Sequence, residues 1–216
     1  MLRTEPNMEL LTDERLVGFM EQRILRTAQE FGLDPSSFPR PVLLIRRSEG
    51  TQCHYLQPGF IIFVTAGEDR PQQARYQISH EVVHGALSPQ APIFDWVQEM
   101  FATYIAVRAL EESGHWDYAA GEKESFLAKA DQLEFESVQN LALPYPEGTH
   151  ALAFGIGCRL VDAVGWERLK QLGTMIDERR AKHDLGRWVD SLDPDEREAV
   201  TKILADLETQ DADGRQ

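Results

Sequence analysis

The stretch Arg75-Tyr76-Gln77-Ile78-Ser79-His80-Glu81-Val82-Val83-His84-Gly85 sets two histidines four residues apart, with a glutamate directly after the first. On a helix, positions i and i+4 lie one turn apart on the same face, so His80 and His84 can aim two imidazoles at one point. Zinc takes neutral imidazole nitrogen at about 2.0–2.1 Å, and a catalytic zinc keeps three protein ligands and a water. Glu81 is displaced by about 100 degrees round the helix from His80. That makes it an awkward third ligand but leaves it within reach of the water, which is the position of a general base.

Working outward, Pro71 opens this helix and Pro89 and Pro92 close it. Ala74, Ile78 and Val82 form its core stripe, while Gln73, Gln77, His80 and His84 form the opposite, polar one. Upstream, Val42–Ile45, residues 51–57 and Gly59–Thr65 read as short strands, the last being richest in β-branched and aromatic residues. They predict a small sheet of about three strands. Residues 12–31, with Leu16, Met20, Ile24, Ala28 and Phe31 at helical spacing and Gly32 as the stop, predict an amphipathic packing helix.

Downstream the chain reads as mainly helical, over about 93–113, 119–135, 146–164, 166–180 and 193–208. The second of these carries Asp95-Trp96-Val97-Gln98-Glu99-Met100-Phe101-Ala102-Thr103-Tyr104. Two histidines leave a third ligand to be found, and the turn after Pro89 and Pro92 can bring this helix back against the first. Glu99 and Asp95 lie one turn apart on one face, so periodicity alone leaves both open. Ala102, a turn beyond Glu99, is small enough to let the two helices approach.

His80-Glu81-Val82-Val83-His84 followed by Trp96-Val97-Gln98-Glu99-Met100-Phe101-Ala102-Thr103-Tyr104 resembles the gluzincin metallopeptidases, above all the aminopeptidase branch. There the second segment reads Trp-Leu-Asn-Glu-Gly-Phe-Ala-Ser-Tyr. The resemblance implies Glu99 as third zinc ligand, and it implies that Tyr145, in Tyr145-Pro146-Glu147-Gly148, supplies the phenol that stabilises the tetrahedral intermediate. It covers roughly residues 59–175. Two features depart from the pattern. The glycine-rich segment that anchors a substrate's amino terminus is absent, the corresponding strand being Pro58-Gly59-Phe60-Ile61-Ile62-Phe63, and so are the large flanking domains. Thr103 stands where thermolysin-like relatives place an aspartate behind a zinc histidine, and a hydroxyl can do part of that work.

Other candidates are weaker. His150 follows Tyr145 by little more than a turn and can border the cleft, whereas His54, His115 and His183 read as surface or satisfied histidines. Trp96 and Phe101 read as core, and the carboxylates beyond residue 190 as a solvated face.

The chain of 216 residues is 42% hydrophobic and 9% aromatic, enough for a real core. Its 36 acidic against 22 basic side chains give a net charge of −14, which argues against nucleic acid or an anionic membrane as partner. The N-terminal residues lack a signal-peptide core, and Cys53 and Cys158 are too few for a disulfide framework. A cytoplasmic setting and buried thiols are expected.

These readings predict a mostly helical α+β fold of zincin type, with a small sheet beside the zinc-binding helix. Residues 1–210 form a single domain, its sheet and zinc-helix part about 40–113, its helical part about 115–210, followed by a frayed tail at 211–216. The expected function is zinc-dependent hydrolysis of peptide or protein substrates, by an endopeptidase or narrow regulatory protease. Zn2+ would be held by His80, His84 and Glu99, with Glu81 and Tyr145 catalytic. A non-peptide hydrolase, and a helical interaction module with a structural or vestigial zinc site, are the alternatives.

Overall fold

The computed structural model describes residues 14–37, 42–46, 53–56, 61–65, 71–87, 96–131, 148–177 and 182–209. The expected α+β, mostly helical architecture is what it shows. Helix α1 (Glu14–Phe31) buries Leu16, Met20, Ile24, Ala28 and Phe31 at the predicted spacing. It stops at Gly32, whose φ of 64° lets Leu33 N–H return to the Ala28 carbonyl at 2.8 Å. Strands β1 (Val42–Arg46), β2 (Cys53–Leu56) and β3 (Ile61–Thr65) then form one sheet. Its order is β1-β3-β2, with β3 parallel to β1 and antiparallel to β2. Helix α2 (Pro71–Leu87) packs against β2 and β3, so the sheet lies beside it as expected.

Helix α3 (Trp96–Glu112) is the centre of the molecule. Val97, Met100, Phe101, Ala102, Ile105, Ala106, Val107, Ala109 and Leu110 are all buried, a pattern that points apolar groups in every direction and therefore demands neighbours on every side. They are α2, α4 (Trp116–Ala130), α5 (Thr149–Val164) and α6 (Trp166–Thr174), with α2 making the most extensive contact. Alanines at 102, 106 and 109 allow that close approach. On the far side of α3, Phe31, Phe101 and Trp166 interlock edge to face, at 5.3 Å between Phe31 and Phe101 and 6.0 Å between Phe101 and Trp166. Such pairs add about 0.5–1.5 kcal/mol each beyond their buried area.

The rest of the chain closes this core. Gly155 and Gly157 on α5 let the helix settle against α4 and α3, since a Cβ would meet Ala130 Cβ at 2.9 Å and Met100 Cγ at 2.7 Å respectively. Strands β4 (Ile176–Asp177) and β5 (Lys182–His183) make a short antiparallel pair. Helix α7 (Leu185–Asp190) follows, capped by Asp184 on Arg187 N–H at 3.0 Å. It buries Trp188 completely, and the Trp188 indole donates to the Arg168 carbonyl at 3.1 Å. Helix α8 (Pro194–Thr209) begins with Glu196 accepting from Asp193 N–H at 3.2 Å.

Several expected boundaries move. The helix expected over 166–180 ends at Thr174, because β-branched Thr174 and Ile176 lead into β4 instead. The helix expected from 146 begins at Thr149, after Gly148 with φ of 96°. The helix expected from 119 starts earlier, at Trp116, and within it only Ala119 is buried. Residues 12 and 13 of the expected first helix, Pro89, Pro92 and the stretch 211–216 lie outside the described residues. No helix among the described residues is long and apolar enough to cross a membrane.

Candidate metal centre

Helix α2 was expected to show one apolar and one polar face, and the structure buries both. Gln77, Ser79, His80 and Glu81 are each under a tenth exposed, as are Ile78, Val82 and Val83. The polar face does not meet solvent because α3 packs against α2, with Gln98, Glu99 and Thr103 buried opposite. Buried polar groups need partners, yet His80 Nδ1, Glu99 Oε2 and Thr103 Oγ1 have no hydrogen-bond partner among the described residues.

The i, i+4 spacing does what helical geometry requires. His80 Nε2 and His84 Nε2 lie 3.1 Å apart, with ring centroids 4.8 Å apart. Glu99, in the first turn of α3, completes the group: Oε2 is 3.3 Å from His80 Nε2 and Oε1 is 3.5 Å from His84 Nε2. Of the two carboxylates left open by periodicity, Glu99 lies beside both histidines, while Asp95 lies outside the described residues. His150, on the first turn of α5, approaches from a third helix, its Nε2 3.2 Å from Glu99 Oε2 and its ring 5.0 Å from that of His80. One ligand atom each from His80, Glu99 and His150 lies within 4.8 Å of the others.

Distances of this size suit a metal. Four ligands at about 2.0–2.1 Å from a tetrahedral zinc stand about 3.3 Å from one another, and the His80–His84 and His80–Glu99 Oε2 separations of 3.1 and 3.3 Å are close to that value. Direction supports the same reading. Glu99 Oε2 is buried and accepts no well-directed hydrogen bond, even though two imidazole nitrogens stand within 3.3 Å. The rings thus approach the carboxylate without pointing their N–H groups at it. Two imidazole nitrogens 3.1 Å apart share a hydrogen bond when one ring carries the proton, and a metal ion binding both would take the place of that proton. Imidazole with carboxylate is also a donor set suited to zinc.

The electrostatics follow from one buried carboxylate among three imidazoles. Burial disfavours charge on Glu99, but the positive His84, with the His150 and His80 rings close beside it, holds its carboxyl well below the ordinary range. Burial likewise opposes charge on His84, yet Glu99 and Glu81 raise it to about 9. His80 moves down, because its burial outweighs the pull of Glu99. His150 moves up against burial, again through Glu99. Glu81 is 6% exposed, and its charge acts on both His84 and His150, so it lies at the same centre.

The remaining expected residues fall as follows. Tyr145 lies outside the described residues. Thr103 is fully buried near the Tyr76 phenol, and its hydroxyl has no hydrogen-bond partner among the described residues, so it backs no histidine there. The phenol itself is pushed upward by burial and by Glu122, and its ring stacks on His80 at 6.1 Å between centroids. His80 Nδ1 is buried with no hydrogen-bond partner among the described residues. Trp96 is half-buried against the core and Phe101 is fully buried, as expected. His183 is buried on β5, and Cys158 is a half-buried thiol raised to about 11 by burial. His150 was legible only as a residue near the cleft. No local signal brings the first turn of α5 onto Glu99.

No protein-family model matches this chain, and a search of curated proteins finds no match.

Proposed function

We propose that this protein is a zinc-dependent peptidase of gluzincin type, in which His80, His84 and Glu99 hold the metal and Glu81 is the general base. The observation that supports this reading best is that His80 Nε2 and His84 Nε2, 3.1 Å apart, both meet the Glu99 carboxylate, at 3.3 Å from Oε2 and 3.5 Å from Oε1, across two helices that pack together. Zinc bound there supplies Lewis acidity, polarising a carbonyl and lowering the pKa of water at its open position towards about 7.

The chain's own groups do the rest. Glu81 takes a proton from the attacking water as the new C–O bond forms, and passes it to the amine nitrogen as the C–N bond breaks. Tyr145 donates a hydrogen bond to the developing oxyanion, a role that rests on the resemblance alone. The missing amino-terminal anchor segment favours cleavage within a chain, by an endopeptidase or a protease with one protein substrate.

A specific observation also favours a second reading, a helical interaction module with a structural zinc. Structural sites have four protein ligands and no open position, and His150 stands where a fourth would. One experiment separates the two. Wild type and Glu81→Gln are purified without chelator or metal-affinity resin, their zinc is measured by elemental mass spectrometry, and each is incubated with a proteome-derived peptide library. Equal zinc with cleavage by wild type alone supports the peptidase. Equal zinc with no cleavage by either supports the module, and cleavage by both at equal rates removes Glu81 as the base.

A further inference from the structure

His150 is placed oddly for a residue that merely borders a cleft. Its ring is 47% exposed, yet its Nε2 sits 3.2 Å from the buried Glu99 Oε2, the same oxygen that His80 Nε2 approaches at 3.3 Å. Both separations equal the spacing of about 3.3 Å between neighbouring ligands of a tetrahedral zinc. Neither ring directs a hydrogen bond at that oxygen. A histidine recruited only to neutralise or orient Glu99 would point its N–H along the line to the carboxylate, as a charge-assisted hydrogen bond does. Here one ligand atom from each of His80, Glu99 and His150 lies within 4.8 Å of the others, which is a spacing that ligands of one cation can adopt.

We infer that His150 is a fourth, displaceable metal ligand, which closes the open coordination position in the resting protein. This rests on the reading that His80, His84 and Glu99 hold a metal. Its exposure distinguishes it from the other three. His80 and Glu99 are 8% and 4% exposed at the side chain and His84 14%, so their release requires repacking of α2 on α3. The His150 ring needs only a rotation of its side chain to reach solvent. A resting protein closed in this way has low hydrolytic activity, and a substrate gains access by taking the place of one imidazole. The single site then accounts for both a catalytic donor set and a structural one.

Cobalt(II) tests this, because it occupies zinc sites and its visible absorption reports coordination number and ligand exchange. Metal-free wild type and His150→Ala are titrated with cobalt chloride, then with sodium azide, and zinc affinities are measured by competition with a chromophoric chelator. The expected result is an intense tetrahedral cobalt spectrum in wild type that azide leaves unchanged. His150→Ala should bind zinc at least about 10–100-fold more weakly, the range reached when even a residue supporting a ligand is lost, and its cobalt spectrum should shift with azide. If wild type and His150→Ala bind zinc equally and respond to azide alike, His150 is not a ligand, while the three-ligand site stands. If wild type binds no cobalt or zinc at all, the metal reading itself fails. Equal thermal unfolding of the two metal-free proteins confirms that the substitution has not altered the fold.

Discussion

Glu99 Oε2 stands 3.3 Å from His80 Nε2, buried and without a directed hydrogen bond, although the whole connection between α2 and α3 separates the two residues in the chain. This relationship makes the metal reading testable at one side chain. Glu99→Ala should reduce zinc content from about one per chain to near zero, while Asp95→Ala retains it, as read by elemental mass spectrometry. The reverse pattern would move the third ligand to Asp95.

Zinc uptake should release a proton. Without metal His84 is raised to about 9, so at pH 7 it is protonated, whereas ligation needs the neutral ring. The apparent zinc affinity should therefore rise with pH and level off above about 9. In the metal-free protein the sign is opposite for stability. His84 carries a folded pKa above its ordinary 6.5, so its pairing with Glu99 contributes fully below pH 6.5 and is lost as pH rises through about 9. Calorimetry of zinc binding at pH 7 in two buffers of different ionisation enthalpy should report about one proton released. Zero would mean that His84 is already neutral.

Two glycines should respond oppositely to alanine. A Cβ at Gly173 would meet Phe31 Cε1 at 2.6 Å and Phe101 Cε2 at 3.3 Å, both in interlocked rings that cannot step aside. Helix propensity favours alanine by about 1 kcal/mol, but overpacking of a filled core costs about 1–3 kcal/mol, so Gly173→Ala should destabilise. Gly121, on the exposed face of α4, has nothing within 4 Å of its notional Cβ. There propensity acts alone, and Gly121→Ala should stabilise by about 0.5–1 kcal/mol. Chemical denaturation of the two variants decides both.

Glu112 joins α3 to α1. Its Oε2 accepts from the buried Arg23 at 2.9 Å and from Arg26 at 2.8 Å, and Arg108 lies 3.6 Å from Oε1. Burial opposes its charge, but Arg23 foremost holds the carboxyl below its ordinary 4.5. Its folded pKa is depressed, so the contribution is present above pH 4.5 and disappears as pH falls through the folded value. Glu112→Gln should lower stability by about 0.5–1 kcal/mol at pH 7, since solvent screens pairs this exposed and Arg23 keeps Glu30 at 3.5 Å, and by much less at pH 3. A thermal-melt difference of the same size at both pH values would show that the charge is not responsible.

How much of this was legible in the sequence depends on the range of the interaction. Helices α1 and α2 follow from local apolar spacing, and the His80–His84 approach follows from the geometry of a single turn. Glu99 could be reduced to two positions by its helix face, but choosing between them needed a resemblance. The burial of both faces of α2 was not legible, because a polar stripe reads the same whether it meets water or the buried Gln98, Glu99 and Thr103 of a neighbouring helix. His150 reaches the centre only through the packing of α5 on α3, aided by Gly157 against Met100. The break at Thr174 depended on a two-residue strand pair, too short to leave a periodic signal.

The burial of α3 on every side sets a difference in lifetime between the groups that meet at this centre. Glu99 belongs to a helix packed against α2, α4, α5 and α6, so release of its buried side chain requires those contacts to open. His150 lies at the frayable end of α5, with its ring half in solvent, and belongs to the low-energy part of the opening spectrum. In the language of amide exchange, protection is expected to be higher along the covered α3 than at the start of α5, so the centre sets a buried carboxylate against a half-exposed ring.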